Sequence, residues 1–238
     1  MDLSDLVTIV IPCKNENDII SKTLDLLNHQ TGVSGVKVIV CDSSDDGITK
    51  LTLWDRLEYN MDYFDLHIMD GGLPARARNN GFKLVTTPYV LFMDADIFLL
   101  DSDVLTNVVS KIKTEDLDLV SVRLRSDNGD YNYVYKVFDV LQRLSMLVSP
   151  FCLGGFMLTK TSKFKEIGGF DEEVKIAEDY AYSKQIKRDK FKVCKTFVYT
   201  PPRRFKDKGL WYMTKLMVGS LLNKNNKEYF KDGKDYWL

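Results

Sequence analysis

Tyr89-Val90-Leu91-Phe92-Met93-Asp94-Ala95-Asp96 places a run of apolar, aromatic and β-branched residues directly before two carboxylates one residue apart. The run reads as a buried strand. Carboxylates at the end of a buried strand are costly to fold unless they meet a cation, hydrogen-bond donors or water. Their oxygens suit hard divalent ions such as Mg²⁺ or Mn²⁺, which also bind phosphate oxygens. The expectation is a metal–diphosphate site at the carboxyl end of a central strand, where open α/β sheets place ligands. Asp also caps turns and helix starts, so the pair alone is compatible with a simple turn.

Working outward, Leu6 to Ile11 is a β-branched run closed by Pro12 and predicts a first strand. Asn15 and Asn17 offer caps to a helix with an Ile19, Ile20, Thr23, Leu24, Leu26, Leu27 stripe, which Gly32 and Gly35 end. Val36 to Cys41 predicts a second strand ending at Asp42, and Tyr63 to Met69 a third. Beyond an acidic turn after Asp42, no element is assigned before Tyr63. Asp70-Gly71-Gly72-Leu73-Pro74 is a turn whose proline suits a helix start, and Ala75 to Val85 follows as a helix. Strands alternating with helices predict a mostly parallel sheet. Right-handed crossovers then gather Asp42, Asp70 and Asp94/Asp96 on one edge.

The second half is less regular. Asp101 to Lys113, Tyr131 to Val148 and Ala177 to Lys187 read as helices. Asp118 to Leu124, Phe151 to Thr159 and Phe191 to Tyr199 read as strands, with Gly154-Gly155 marking a close backbone approach. Ile167 to Asp171 is a turn, and Pro201-Pro202 ends the last strand. Residues 210–222 read as an amphipathic or wholly apolar helix, before a polar, Lys-rich tail that closes on Tyr236-Trp237. The expected organisation is one α/β domain over 1–205 and a helical extension over 206–238. In that extension Trp211 and Tyr212 beside Lys215 suit either a membrane surface or core and homodimer packing.

The bulk numbers narrow the function classes. The chain has 238 residues, and Lys+Arg 33 against Asp+Glu 34 leaves a net charge of −1, so no bulk nucleic-acid binding is expected. Cys13, Cys41, Cys152 and Cys194 form no CxxC pair and sit in or beside apolar segments, which points to buried free thiols in a reducing compartment. The start Met1-Asp2-Leu3-Ser4-Asp5 does not resemble a signal peptide, and no run is long enough to span a bilayer. A cytoplasmic protein, with contact at the cytoplasmic membrane face left open, is the expectation.

Several short stretches then share one pattern. Val10-Ile11-Pro12-Cys13-Lys14-Asn15-Glu16 resembles the opening of family 2 glycosyltransferases, which have the GT-A fold. Val40 to Gly47, with Asp42, Asp45 and Asp46, resembles their second-strand acidic turn. Pro74 to Gly81, with Arg76, Arg78 and Asn79, resembles their Ala-x-x-Arg-Asn-x-Gly helix. Asp94-Ala95-Asp96 matches their DXD motif, Gly154-Gly155 and Gly168 to Asp171 their acceptor-side turns, and Glu178-Asp179 their Glu-Asp motif. The matches keep the family's order from about residue 7 to about residue 205.

The resemblance implies a metal-dependent, inverting transfer of a hexose from a UDP- or GDP-sugar to a hydroxyl on a lipid carrier, glycan or protein, as in cell-envelope glycan synthesis. It implies Asp42 with Asp45 or Asp46 near base and ribose, and Arg78, in preference to Arg76, near phosphate. It implies Asp96 on Mn²⁺ or Mg²⁺, Asp94 on ribose or metal-bound water, and Arg203 and Arg204 closing over the diphosphate. Asp179 is the implied base, with Glu178 second. Many relatives add a metal-binding histidine near this basic turn, whereas the histidines here are His29 and His67. Two rivals share parts of the pattern. Nucleotidyl transfer usually has a Gly-rich loop after the first strand, and Pro12-Cys13-Lys14-Asn15 has no glycine. A non-catalytic sugar-nucleotide-binding module would not need the acids that are present.

Overall fold

The protein is described by a computed structural model over residues 1–212, 215, 219, 223 and 226–232. Five strands follow the β-branched runs of the first 126 residues: β1 Val7–Cys13, β2 Lys37–Asp42, β3 Asp65–Asp70, β4 Tyr89–Met93 and β5 Leu119–Ser126. Two more, β6 Phe156–Lys160 and β7 Phe191–Thr200, complete a seven-stranded sheet in the order β3-β2-β1-β4-β6-β5-β7. The β1–β2, β2–β3, β1–β4 and β5–β7 pairs are parallel, and β6 runs antiparallel to both β4 and β5. Cys13, Asp42 and Asp70 are in register across β1, β2 and β3, so these strand ends share one edge with Asp94, which follows β4.

Side-chain alternation divides the core between the two faces of the sheet. Ile9, Ile11, Val38, Val40, Leu91 and Met93 point to one face. There they meet α1 (Asn17–Asn28), α2 (Gly47–Glu58) and α4 (Val104–Thr114) through Ile20, Leu24, Leu53, Val108 and Ile112. Val10, Ile39, Cys41, Val90 and Phe92 point to the other. They meet α3 (Pro74–Phe82), α6 (Thr161–Ile167) and α7 (Glu178–Ser183) through Ala75, Ala77, Phe164 and Tyr182. Each fully buried Leu, Ile or Phe contributes about 1.5–3 kcal/mol by leaving water. The helix α5 (Asn132–Val148) packs on β5 and β7, and α8 (Arg203–Asp207) is tied to it by Phe205 against Tyr131 and Tyr135.

Three elements differ from the sequence expectation. α2 is a full helix where none is assigned. Asp46 caps it by accepting from Thr49 N at 2.7 Å, but Ile48, Leu51 and Trp54 face water, so its apolar residues do not mark a buried stripe. β6 begins at Phe156, after Gly154-Gly155, and the short helix α6 follows it directly, capped by Gly168 at φ +89°. α7 is only six residues long: Ala177 precedes it at a left-handed φ of 56°, and the chain turns out of the helix after Ser183.

Beyond α8, α9 (Lys227–Lys231) places Phe230 on Val174 and Ile176. The expected helix over 210–222 and the closing Tyr236-Trp237 lie largely outside the described residues. Among the described residues no helix is long and apolar enough to cross a membrane. All four cysteines are buried and free.

Candidate active site

A cleft of about 270 Å³ lies at the carboxyl edge of the sheet. Its walls bring together Arg78, Asp94, Asp96, Gly154, Gly155, Glu178, Asp179 and Arg204, all of them singled out from the sequence. The centre is Arg78, on the second turn of α3 and 2% exposed. One guanidinium nitrogen donates to Asp94 Oδ1 at 2.7 Å and the other to Glu178 Oε1 at 2.5 Å. Burial opposes the arginine's charge, but Asp94 and Glu178 outweigh that opposition and hold its proton above the usual arginine range. Arg78 thereby joins the end of β4 to the start of α7, whose Glu178 follows it by a hundred residues in the chain.

Asp96 faces a second arginine. Arg203 donates to Asp96 Oδ2 at 3.1 Å and forks onto both oxygens of Glu16, at 2.9 and 2.8 Å. The link ties α8 to the loop between β1 and α1. Burial pushes the Asp96 carboxyl up, with the Asp94 charge adding, and burial pushes Glu16 up against the pull of Arg203. Asp94 Oδ2 and Asp96 Oδ1 accept no hydrogen bond from the described residues. Two such carboxylate oxygens are the donor type a divalent cation takes, and water and phosphate oxygens would have to fill its remaining positions. No group of three or more His, Cys, Asp or Glu side chains among the described residues could hold a metal by itself. His29 sits on Asp25 O at the far end of α1 and His67 on Asp65 in β3, so neither joins the carboxylate pair.

Asp179 lines the same cleft, against Gly154. Gly154 N donates to its Oδ2 at 2.7 Å and Tyr180 N to its Oδ1, also at 2.7 Å. A Cβ on Gly154 would stand 3.0 Å from that Oδ2, so the glycine admits the carboxylate. Burial pushes the Asp179 carboxyl up to about 7, and the neighbouring Glu178 charge adds to the shift.

The residues from the acidic turn lie apart from this cleft wall. Asn15, at φ 54°, clamps that turn: its backbone N donates to Ser44 Oγ and its side chain bonds Asp45 Oδ1, Asp45 N and Asp46 N. Asp42 accepts from Ser44 N, and Asp46 is occupied in capping α2. Pro12 stands beside Cys41 in the β1–β2 register. Ala95 is buried, and its carbonyl accepts from Thr23. Arg76 is exposed, with its stem against Gly72. Asn79 holds the Gly169-Phe170 turn, giving to Phe170 O and taking from Phe170 N. The wall also includes Tyr135, Phe138, Phe151 and Leu153, which sequence reasoning did not pick out. Only the inward stripe of α5 signals Tyr135, and nothing local signals the other three.

A parallel α/β sheet with one antiparallel strand, and acids at the ends of its β2 and β4 strands, is the GT-A architecture of nucleotide-sugar transferases. Residues 8–168 match the model of glycosyl transferase family 2, and the chain belongs to that family. The poly(ribitol-phosphate) beta-glucosyltransferase of Bacillus spizizenii is 28% identical over 183 residues, covering 74% of this chain and 28% of that protein. The O-antigen chain rhamnosyltransferase RfbN of Salmonella typhimurium is 24% identical over 230 residues, 87% of this chain and 72% of its own length. The chain thus spans under a third of the first relative and most of the second. The fold is similar to that of the mannosyltransferase PcManGT from Pyrobaculum calidifontis in complex with GDP-Man and Mn²⁺, at TM-score 0.67 and 23% identity, over 83% of this chain and 57% of that one. It is also similar to S. aureus TarS 1-349 in complex with UDP-GlcNAc, at TM-score 0.62 and 20% identity, over 83% and 59%.

Proposed function

We propose that this protein is a metal-dependent, inverting glycosyltransferase that moves a hexose from a UDP- or GDP-sugar to an acceptor hydroxyl. The observation that carries the reading is the Asp94–Arg78–Glu178 bridge, which brings the DXD carboxylates and Asp179 into one cleft. Membership of glycosyl transferase family 2 supports it. Relatives named for poly(ribitol-phosphate) and the O-antigen chain support an envelope glycan, or its lipid carrier, as the acceptor.

Asp94 and Asp96 would hold the divalent cation, Mn²⁺ or Mg²⁺. Bound there, the ion would offset the negative charge that builds on the departing nucleoside diphosphate. Arg203 and Arg204 stand beside Asp96 to face the same phosphates. Asp42 and the Asn15-clamped turn, with Asp45, stand at the β2 end to meet base and ribose. Glu178 is committed to Arg78, which leaves Asp179 to act on the acceptor. Its carboxylate takes the hydroxyl proton as that oxygen bonds to the anomeric carbon. The sugar–phosphate bond breaks in the same displacement, and its electron pair leaves with the diphosphate. A carboxyl raised to about 7 is well matched to that proton transfer. Buried, unpaired thiols suit a reducing, cytosol-facing setting, where sugar nucleotides would be used.

A panel of nucleotide sugars with Mn²⁺ tests the reading. The expected result is release of nucleoside diphosphate, a raised melting temperature with the right donor, and loss of turnover in Asp96→Asn. Pyrophosphate as product would assign the site to nucleotidyl transfer instead. Neither turnover nor binding of any UDP- or GDP-sugar would leave a non-catalytic module.

A further inference from the structure

The helix α5 is polar inside and apolar outside. Its inward side places Asp139 and Gln142, 5% and 1% exposed, over Arg123 and Arg125 of β5. Its outward side shows Tyr133, Val137, Val140, Leu141, Leu144 and Leu147 at helical spacing, and Leu147 and Val148 are 70% and 78% exposed. A continuous stripe of this length on a surface helix marks an interaction face.

The charges around the stripe identify what it meets. The exposed Lys136 flanks it, and the single carboxylate of α5, Asp139, is buried and paired with Arg123, Arg125 and Arg143. At the carboxyl end of the helix, Lys184, Lys187, Arg188 and Lys192 line a shallow depression with one carboxylate, Asp189. Arg188 is fixed there by donating to Leu147 O at 2.9 Å. Leucines and valines beside a basic rim are complementary to acyl chains beneath anionic headgroups. The exposed stripe on α2 (Ile48, Leu51, Trp54) makes a useful contrast, since Asp55 and Glu58 are exposed on the same helix and would be repelled from such a surface.

We propose that the outward face of α5 and the basic rim at its carboxyl end dock this protein peripherally on an anionic lipid bilayer. Tyr135 and Phe138 of the same helix line the cleft. Docking α5 therefore sets the cleft beside the bilayer, where a lipid-linked acceptor would be presented. That last consequence rests on the transfer reading above, whereas lipid binding does not.

The test is co-sedimentation of the full chain with phosphatidylcholine vesicles, with and without roughly one third phosphatidylglycerol. The chain should bind the anionic vesicles and be released by high salt. Leu144→Glu with Leu147→Glu, and separately Lys187→Glu with Lys192→Glu, should each weaken binding about tenfold or more. Both pairs lie on the surface, so melting temperatures should not change, and Leu51→Glu with Trp54→Glu should bind as the parent does. No binding to anionic vesicles, or binding kept by both the leucine pair and the lysine pair, would overturn the proposal. A dimer in solution that Leu144→Glu with Leu147→Glu disperses, without vesicle binding, would assign the face to a second copy of the chain. Nucleotide-sugar turnover without vesicle binding would sink this inference and leave the transferase reading standing.

Discussion

Arg78 neutralises two carboxylates from opposite halves of the chain. Arg78→Met keeps the volume and removes the charge, leaving the Glu178 and Asp94 carboxylates without their arginine, Glu178 in a buried position. A loss of about 3 kcal/mol is expected, read by urea denaturation. Asp179 makes a pH prediction. Its ionised form is the proton acceptor, so kcat/KM should rise with pH and level off above about 7. Asp179→Asn should abolish that limb and lower kcat by about 10²–10⁴-fold; an unchanged profile would assign the base elsewhere. The same shift acts on stability. Between the ordinary carboxyl value of 3.8 and about 7, the folded protein holds a proton that the unfolded chain has released. This contribution is therefore present at low pH and is lost as pH rises through that window. The metal-free Asp179→Asn protein should show a flatter melting-temperature profile there than the parent.

Elements carry the site by holding it against the sheet. Helix α3 delivers Arg78, and it lies close to β1 and β2 because Gly81 has no side chain. A Cβ there would overlap Val10 Cγ1 and the Cys41 sulfur. Gly81→Ala should cost about 1–3 kcal/mol, seen as a lowered denaturation midpoint with donor affinity retained in the folded fraction. The same scale shows which elements were legible in advance. The β4 run is legible with its bounds, since the five apolar residues between Pro88 and Asp94 form a strand buried at all but its first position. The helix α2 is not, because its apolar residues face out and its buried positions include Thr49 and Arg56. Arg56 is held by Asp25 and Asp62, an ion-pair set that hydrophobic periodicity does not register.

At the scale of the whole molecule, the two-faced core covers every thiol. Cys13, Cys41, Cys152 and Cys194 are all buried, and burial lifts Cys41 to about 12 and Cys194 to about 11. Ellman's reagent should therefore find no reactive thiol in the native protein and all four in denaturant; a fast-reacting native thiol would contradict this packing. The sequence by itself determined the alternating strands and helices, the acids at their ends and the family, because strand runs, caps and short motifs are local patterns. It also named the side chains that line the polar part of the cleft. Tertiary structure decided which of them meet: Arg78 with Glu178, Arg203 with Glu16 and Asp96, and Gly154 with Asp179. It also decided that β6 runs antiparallel, that aromatic residues of α5 wall the cleft, and that the apolar side of α5 faces out. Those outcomes depend on burial shared between segments far apart in the chain. A guanidinium finds its carboxylates, and a helix its inward face, only once the sheet has brought those segments together.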